Sequence, residues 1–331
     1  MGGKAAGILL LMAVSFACGC AATPPVTEQV WPPSPARARI RYVRSIYDDS
    51  EVKGAAFKRW VSRSSPMQIK KPYGVFSDDR GRVYVADTAW GLILVLDYTQ
   101  GRSFFIGGEN GNGRLAKPVN VIADGSGNVY VVDALQKRLV IYDANGKFLN
   151  AIGRQGEFER PTGIALDEEK SRIYVSDTLR HVVRAYDAGG KFQFEFRGDS
   201  DQNVTFHDPT NIWVDKAGSV YVTDSMNFRI LVFDADGRYI KKIGRIGVLP
   251  GMFARPRGVA VDSEGHIYVV DAMFHNVQIF DQEGRLLLGL GKFGSGAGEF
   301  WLPAGICIDR EDFIYVSDSL NHRIQVFQYL H

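Results

Sequence analysis

The chain has 331 residues, 45% of them hydrophobic and 23% charged, which excludes a disordered segment and fits a globular body. Lysine and arginine number 39 against 37 aspartates and glutamates, so the net charge is +2, without the basic excess of a dedicated nucleic-acid binder. Three cysteines exclude a multi-disulfide scaffold, and 36 glycines point to many tight turns.

The N-terminus reads as an address. Lys4 precedes an apolar run of 13 residues, Ala5 to Ala17, right for a signal segment and too short to span a bilayer. Ala17, Cys18 and Gly19 then lead into Cys20. This arrangement resembles a bacterial lipobox, although Ala17 stands where leucine is usual. The resemblance implies a signal peptide over 1–19 and lipidation of Cys20, with Cys18 as the other acceptor. Ala21 resembles the outer-membrane sorting pattern, so the expected place is the cell envelope, anchored by lipid. Residues 20–37 carry Pro24, Pro25, Pro32, Pro33 and Pro35 and read as a semi-rigid tether.

The segment Arg39–Ile46 mostly alternates apolar and polar residues and predicts a strand. Residues 48–71 place Val52, Ala56 and Trp60 at helical spacing, so a short amphipathic helix is expected there.

From residue 72 one unit recurs six times. Its centre reads VYVAD at 83–87, VYVVD at 129–133, IYVSD at 173–177, VYVTD at 220–224, IYVVD at 267–271 and IYVSD at 314–318. The aspartates are 46, 44, 47, 47 and 47 residues apart. A proline opens each unit (Pro72, Pro118, Pro161, Pro209, Pro256, Pro303), and turn residues separate four β-rich runs. A four-stranded antiparallel unit of this length is the signature of a propeller blade. The expected fold is therefore all-β, a six-bladed β-propeller over 38–331. The sixth unit stops after Tyr329 without a fourth run, so Arg39–Ile46 is expected to complete it and close the ring.

The units resemble NHL repeats, most closely in the sixth, where Asn321-His322-Arg323 follows Ile314–Asp318. Bacterial lipoproteins with six such repeats are the group the chain resembles best. That implies a propeller at a membrane surface and no defined reaction. In the lyase branch of NHL proteins, metal-binding histidines sit just after the opening proline. Here those positions are Tyr73, Val119, Thr162, Thr210, Arg257 and Ala304. His181, His275 and His322 are in register with one another, but the repeat pattern itself favours histidine there, so no metal and no cofactor are expected. The six motif aspartates are expected to bind the amides of their own loops, with Arg138, Arg229 and Arg323 as possible ion-pair partners.

The second residue after the motif aspartate is large and apolar in five units: Leu135, Leu179, Met226, Met273 and Leu320. Trp90, Phe228 and Phe274 add bulk nearby. These residues either form an exposed apolar ring or tuck against the next blade. On the same face Tyr73, Asn120, Thr162, Thr210, Asn211 and Arg257 are expected at the mouth of the central channel, where they suit hydrogen bonds to a small ligand. The reading reached is a non-catalytic binding or assembly module for another envelope protein or a small ligand, with no nucleic-acid partner. The alternative is an enzyme of lyase or lactone-hydrolase type at the channel mouth.

Overall fold

The structure, a computed structural model, describes residues 29–52, 54, 65–153, 156–199, 202 and 204–331. Cys18, Cys20 and the signal segment lie outside these residues.

Alternation explains how each sheet buries both faces. In the second strand of the first unit, Arg82–Asp87, Val83 and Val85 join one buried cluster with Cys307, Tyr315 and Val326 of the sixth unit. Tyr84 and Ala86 point the other way, into a cluster with Val121, Val129 and Val131 of the second unit. One strand thus serves two neighbours, as a period of two requires. Repeated six times, this stacks the sheets into a ring. Each of the first five units is a four-stranded antiparallel sheet with strands in chain order. Their innermost strands start at the opening prolines: Pro72–Ser77, Pro118–Ala123, Pro161–Asp167, Pro209–Val214 and Pro256–Val261, with Pro303–Ile308 in the sixth. The fold is a six-bladed β-propeller, and the only helical elements among the described residues are three short 3-10 turns.

Innermost strands approach closely around the channel. A Cβ at Gly163 would lie 2.1 Å from the carbonyl oxygen of Thr210 on the next blade, a position no side chain tolerates. The ring therefore depends on a residue without a side chain two places after the proline in blades 1, 3, 5 and 6 (Gly74, Gly163, Gly258, Gly305).

The ring closes as expected. Ile40–Ile46 pairs antiparallel with Arg323–Tyr329, from Ile40 opposite Tyr329 to Ile46 opposite Ile324. The expected boundary at residue 38 is corrected. Val30–Trp31 adds a fifth strand outside Ile40–Ile46, and the Trp31 ring meets Phe327 edge-on at 5.7 Å. That end of the proline-rich segment belongs to the propeller, because Trp31 finds apolar cover there. The expected helix over 48–71 is corrected where it can be seen. Asp49–Glu51 is a 3-10 turn, and residues 65–70 are irregular because the Asp87 carboxylate takes the Lys70 and Lys71 amides. Ala56 and Trp60 lie outside the described residues.

Cys307 is 2% exposed on an innermost strand, and burial pushes its thiol up to about 12. At about pH 8 it should stay a thiol, so iodoacetamide should label Cys307 only as fast as the ring opens, as read by mass spectrometry of its peptide. Fast labelling in native buffer would contradict the closed ring. Ile46→Ala removes a buried side chain, 1% exposed, from the closing strand. It should cost about 2–5 kcal/mol in urea denaturation.

Candidate functional site

The ring has two unlike faces, set by strand direction. Each opening proline pairs with the motif aspartate of its own blade, for example Pro72 with Asp87 and Pro303 with Asp318. The loops between second and third strands, and the connections between blades, therefore share one face, here called the loop face. The turns between first and second strands form the other, the turn face.

The motif aspartates organise the loop face. All six are 0% exposed. Asp87 accepts from the amides of Ala89 and Trp90 in its own loop and from Lys70 and Lys71 ahead of the opening proline. Asp133 does the same with Leu135, Gln136, Ala116 and Lys117, and Asp271 with Met273, Phe274, Ala254 and Arg255. The own-loop bonds were legible in the sequence. The second set, to the chain arriving from the previous blade, was not. The fourth and sixth blades depart from the expected own-loop amides: 3-10 turns follow Asp224 and Asp318, and side chains donate instead, Asn227 and Asn321 together with Arg229 Nε and Arg323 Nε, each arginine 2.8 Å away. Arg138 does not follow them: its guanidinium donates to the Arg114 carbonyl at 3.0 Å and its Nε is buried without a partner. Burial pushes the Asp224 carboxyl up, opposed by bonds from Asn227, the His207 amide and Arg229.

The histidines in register have a backbone explanation. His181, His275 and His322 all have φ near +54°, in the left-handed region, as do Lys137 and Phe228 at the same place, and blade 1 uses Gly91 there. The Nδ1 atoms of His181 and His275 accept from the amides of Asp208 and Leu302 in the next connections, and His322 Nδ1 contacts the Lys70 carbonyl. The three rings face three different connections. Among the described residues no group of three or more His, Cys, Asp or Glu is placed to hold a metal ion.

The apolar ring is largely exposed. Leu135 is 66% exposed, Met273 53%, Met226 50%, Leu179 45% and Trp90 40%. Leu320, Phe228 and Phe274 are half-buried, and Phe228 packs on the core between the fourth and fifth blades. Sequence reasoning missed Ile246, Val248, Leu249, Phe293 and Trp301, which stand exposed on the blade-to-blade connections of the same face. Among the described residues no large exposed apolar side chain belongs to the turns of the opposite face. Exposed cations share the loop face: Lys70, Lys71, Arg114, Lys117, Arg245 and Arg255. Lys70 Nζ lies 3.7 Å over the Trp90 ring, which is also held by its Nε1 bond to the Gln68 carbonyl.

Of the polar residues expected at the channel mouth, Arg257, Tyr73 and Thr162 are engaged by other blades or by their own, while Asn120 and Asn211 border the cavity between the innermost strands. Arg257 of the fifth blade stacks its guanidinium on the Tyr73 ring of the first, 5.3 Å away. Thr162 Oγ1 lies 2.6 Å from Thr178 Oγ1, which bonds the Pro209 carbonyl of the next blade. Thr210 Oγ1 is buried without a partner, and Asn120 and Asn211 are each only 8% exposed. The channel's open space lies on the turn face, in a cavity of about 600 Å³ lined by turn residues that adjoins one of about 420 Å³ between the innermost strands. Phe76, Trp213 and Arg310 border both.

A model of the family described as 6-bladed beta-propeller matches residues 112–214, 200–275 and 262–329. These matches together span most of the chain. The protein belongs to that propeller family. Among solved structures, this propeller is similar to a streptogramin B lyase at 14% identity and a TM-score of 0.61, covering 88% of this chain and 98% of that one. It is similar to virginiamycin B lyase from Staphylococcus aureus at 15% identity and 0.59, covering 80% and 96%. An auxiliary nutrient binding protein from Bacteroides ovatus is similar at 15% identity and 0.61, covering 80% and 70%. At such identities the likeness is one of fold. No curated protein matches the sequence.

Asp318→Ala would leave the Arg323 guanidinium, 2% exposed, without its carboxylate. It should cost about 3–5 kcal/mol in urea denaturation, and pairing it with Arg323→Met should recover part of that loss.

Proposed function

We propose that the protein is a lipid-anchored, non-catalytic binding module of the bacterial envelope, whose loop face docks a protein partner. The observation that carries this reading is the concentration of exposed apolar side chains on one face. Such a face fits a partner that is apolar at its centre and carries carboxylates at its rim. Met226 and Met273 suit a surface that adapts to its partner.

The N-terminal segment supports the membrane part of the reading. The chain enters the ring at Gln29, whose carbonyl accepts the Tyr42 amide. Trp31 lies against Gly298, so the chain enters along the outside of the sixth blade. Fully extended, the residues from Cys20 to Gln29 reach about 30 Å. A lipid on Cys20 would keep the propeller near the bilayer and a partner within the envelope.

Two measurements test this. Crosslinked purification from membranes compares the native protein with a Leu135→Ser, Leu179→Ser, Met226→Ser, Met273→Ser variant whose melting curve is unchanged. A partner captured by the native protein and lost by the variant is expected; equal capture would place binding elsewhere. Metabolic labelling with a fatty acid should mark the native protein and not Cys20→Ala, which should leave the membrane fraction.

A further inference from the structure

The sixfold repeat supplies its own controls, and one of them fails. Six residues after each opening proline stands an aspartate: Asp78, Asp124, Asp167, Asp215, Asp262 and Asp309. In five blades the motif tyrosine donates its hydroxyl to this carboxylate, at 3.0 Å from Tyr84, Tyr130 and Tyr221, 2.9 Å from Tyr268 and 3.2 Å from Tyr315. In the third blade Tyr174 turns away and donates to the Ala235 carbonyl of the fourth blade at 2.6 Å. Asp167 keeps one bond, from the Lys170 amide to Oδ1, and its Oδ2 is buried without a partner. The residue is only 5% exposed. A buried acceptor left unpaired costs about 1–3 kcal/mol, and more when charged.

Asp167 borders the 420 Å³ cavity between the innermost strands. A Cβ at Gly218, on the same wall, would lie 3.8 Å from the free Oδ2. The remaining walls are mainly apolar: Val75, Ile122, Ile164 and Ile212, with the aromatic rings of Phe76 and Trp213. The charged residues bordering it are Asp167, Glu168, Glu169 and Asp215 against Lys216 and Arg310. Arg310 is already engaged, 2.8 Å from Asp79 and 3.4 Å from Glu168, which joins the sixth, first and third blades across the mouth. The wider mouth adds Asp78, Asp79, Asp124, Asp262, Glu264 and Asp309 against Arg80, so the approach is acidic.

We propose that this cavity binds a small organic amine, its ammonium donating to Asp167 and its apolar body packed on Phe76 and Trp213. The volume lies in the range of small-molecule sites. The aromatic rings suit a cation or a flat apolar group, and one unpaired buried carboxylate beside apolar walls, with no group of three acidic, histidine or cysteine side chains placed to hold a metal among the described residues, suits an ammonium better than a bare metal ion, which needs several oxygens. This site is on the face opposite the proposed protein-docking surface and stands independently of it.

The test is isothermal titration of the purified propeller with phenethylamine, tyramine and cadaverine, and with phenethyl alcohol and phenylacetate as neutral and anionic counterparts. At least one amine should saturate at millimolar concentration or below, with phenethyl alcohol and phenylacetate weaker. Asp167→Asn keeps the shape and removes the charge, and should weaken that amine about tenfold or more. Asp97→Asn weakens a buried ion pair with Arg82 outside both cavities, and should lower the melting temperature while leaving amine affinity unchanged. Absence of saturation by every amine would overturn the proposal. So would equal binding to Asp167→Asn, or equal binding of phenylacetate.

Discussion

The propeller depends on six buried carboxylates that each hold two pieces of chain. A carboxylate has about four lone-pair sites, and backbone amides at the ends of strands are donors that need acceptors. Asp87, Asp133 and Asp271 satisfy four amides apiece, two from the loop that follows and two from the connection that arrives. The arriving connection comes from the blade before, so one side chain sets a blade's own geometry and its place beside its neighbour. That explains why the aspartate recurs with so little change in spacing. It also explains why the loops can carry exposed leucine, methionine and tryptophan: the carboxylate beneath them holds the backbone, and their side chains are not needed as packing.

Much of this was legible because repetition multiplies weak signals. One Val-Tyr-Val-Asp stretch says strand, and six at even spacing say ring. Closure was legible too, since a missing fourth run at one end and a spare alternating run, Arg39–Ile46, at the other leave one economical arrangement. Trp31 was harder to read, because prolines around it spoke for extended chain and its apolar cover comes from Phe327, nearly 300 residues away.

The channel was not legible in the same way. Its polar residues, read one blade at a time, looked available to a ligand. Whether they are depends on contacts between blades. Arg257 meets Tyr73 two blades on, and Thr162 and Thr178 are taken up by the carbonyls of the following blade. Glycine at Gly163 and Gly305 lets the innermost strands crowd together near the loop face, so the open volume falls on the far side. A repeat pattern reveals what the blades share. The departures, such as Tyr174 abandoning Asp167, become informative only when the partners are seen.

The closing strand has a mechanical consequence. Whatever precedes Gln29 is joined to the ring through Val30–Trp31 and then Ile40–Ile46, and the latter is the strand that seals the sixth blade. Tension applied at that end bears first on this seam, ahead of the covalently continuous blades. Were it to part, Arg323–Tyr329 would become a bare sheet edge and the ring an open arc, ready to pair with any strand nearby. Resistance to force would then be set by one strand pair and its unfolding rate, whatever the melting temperature of the other five blades.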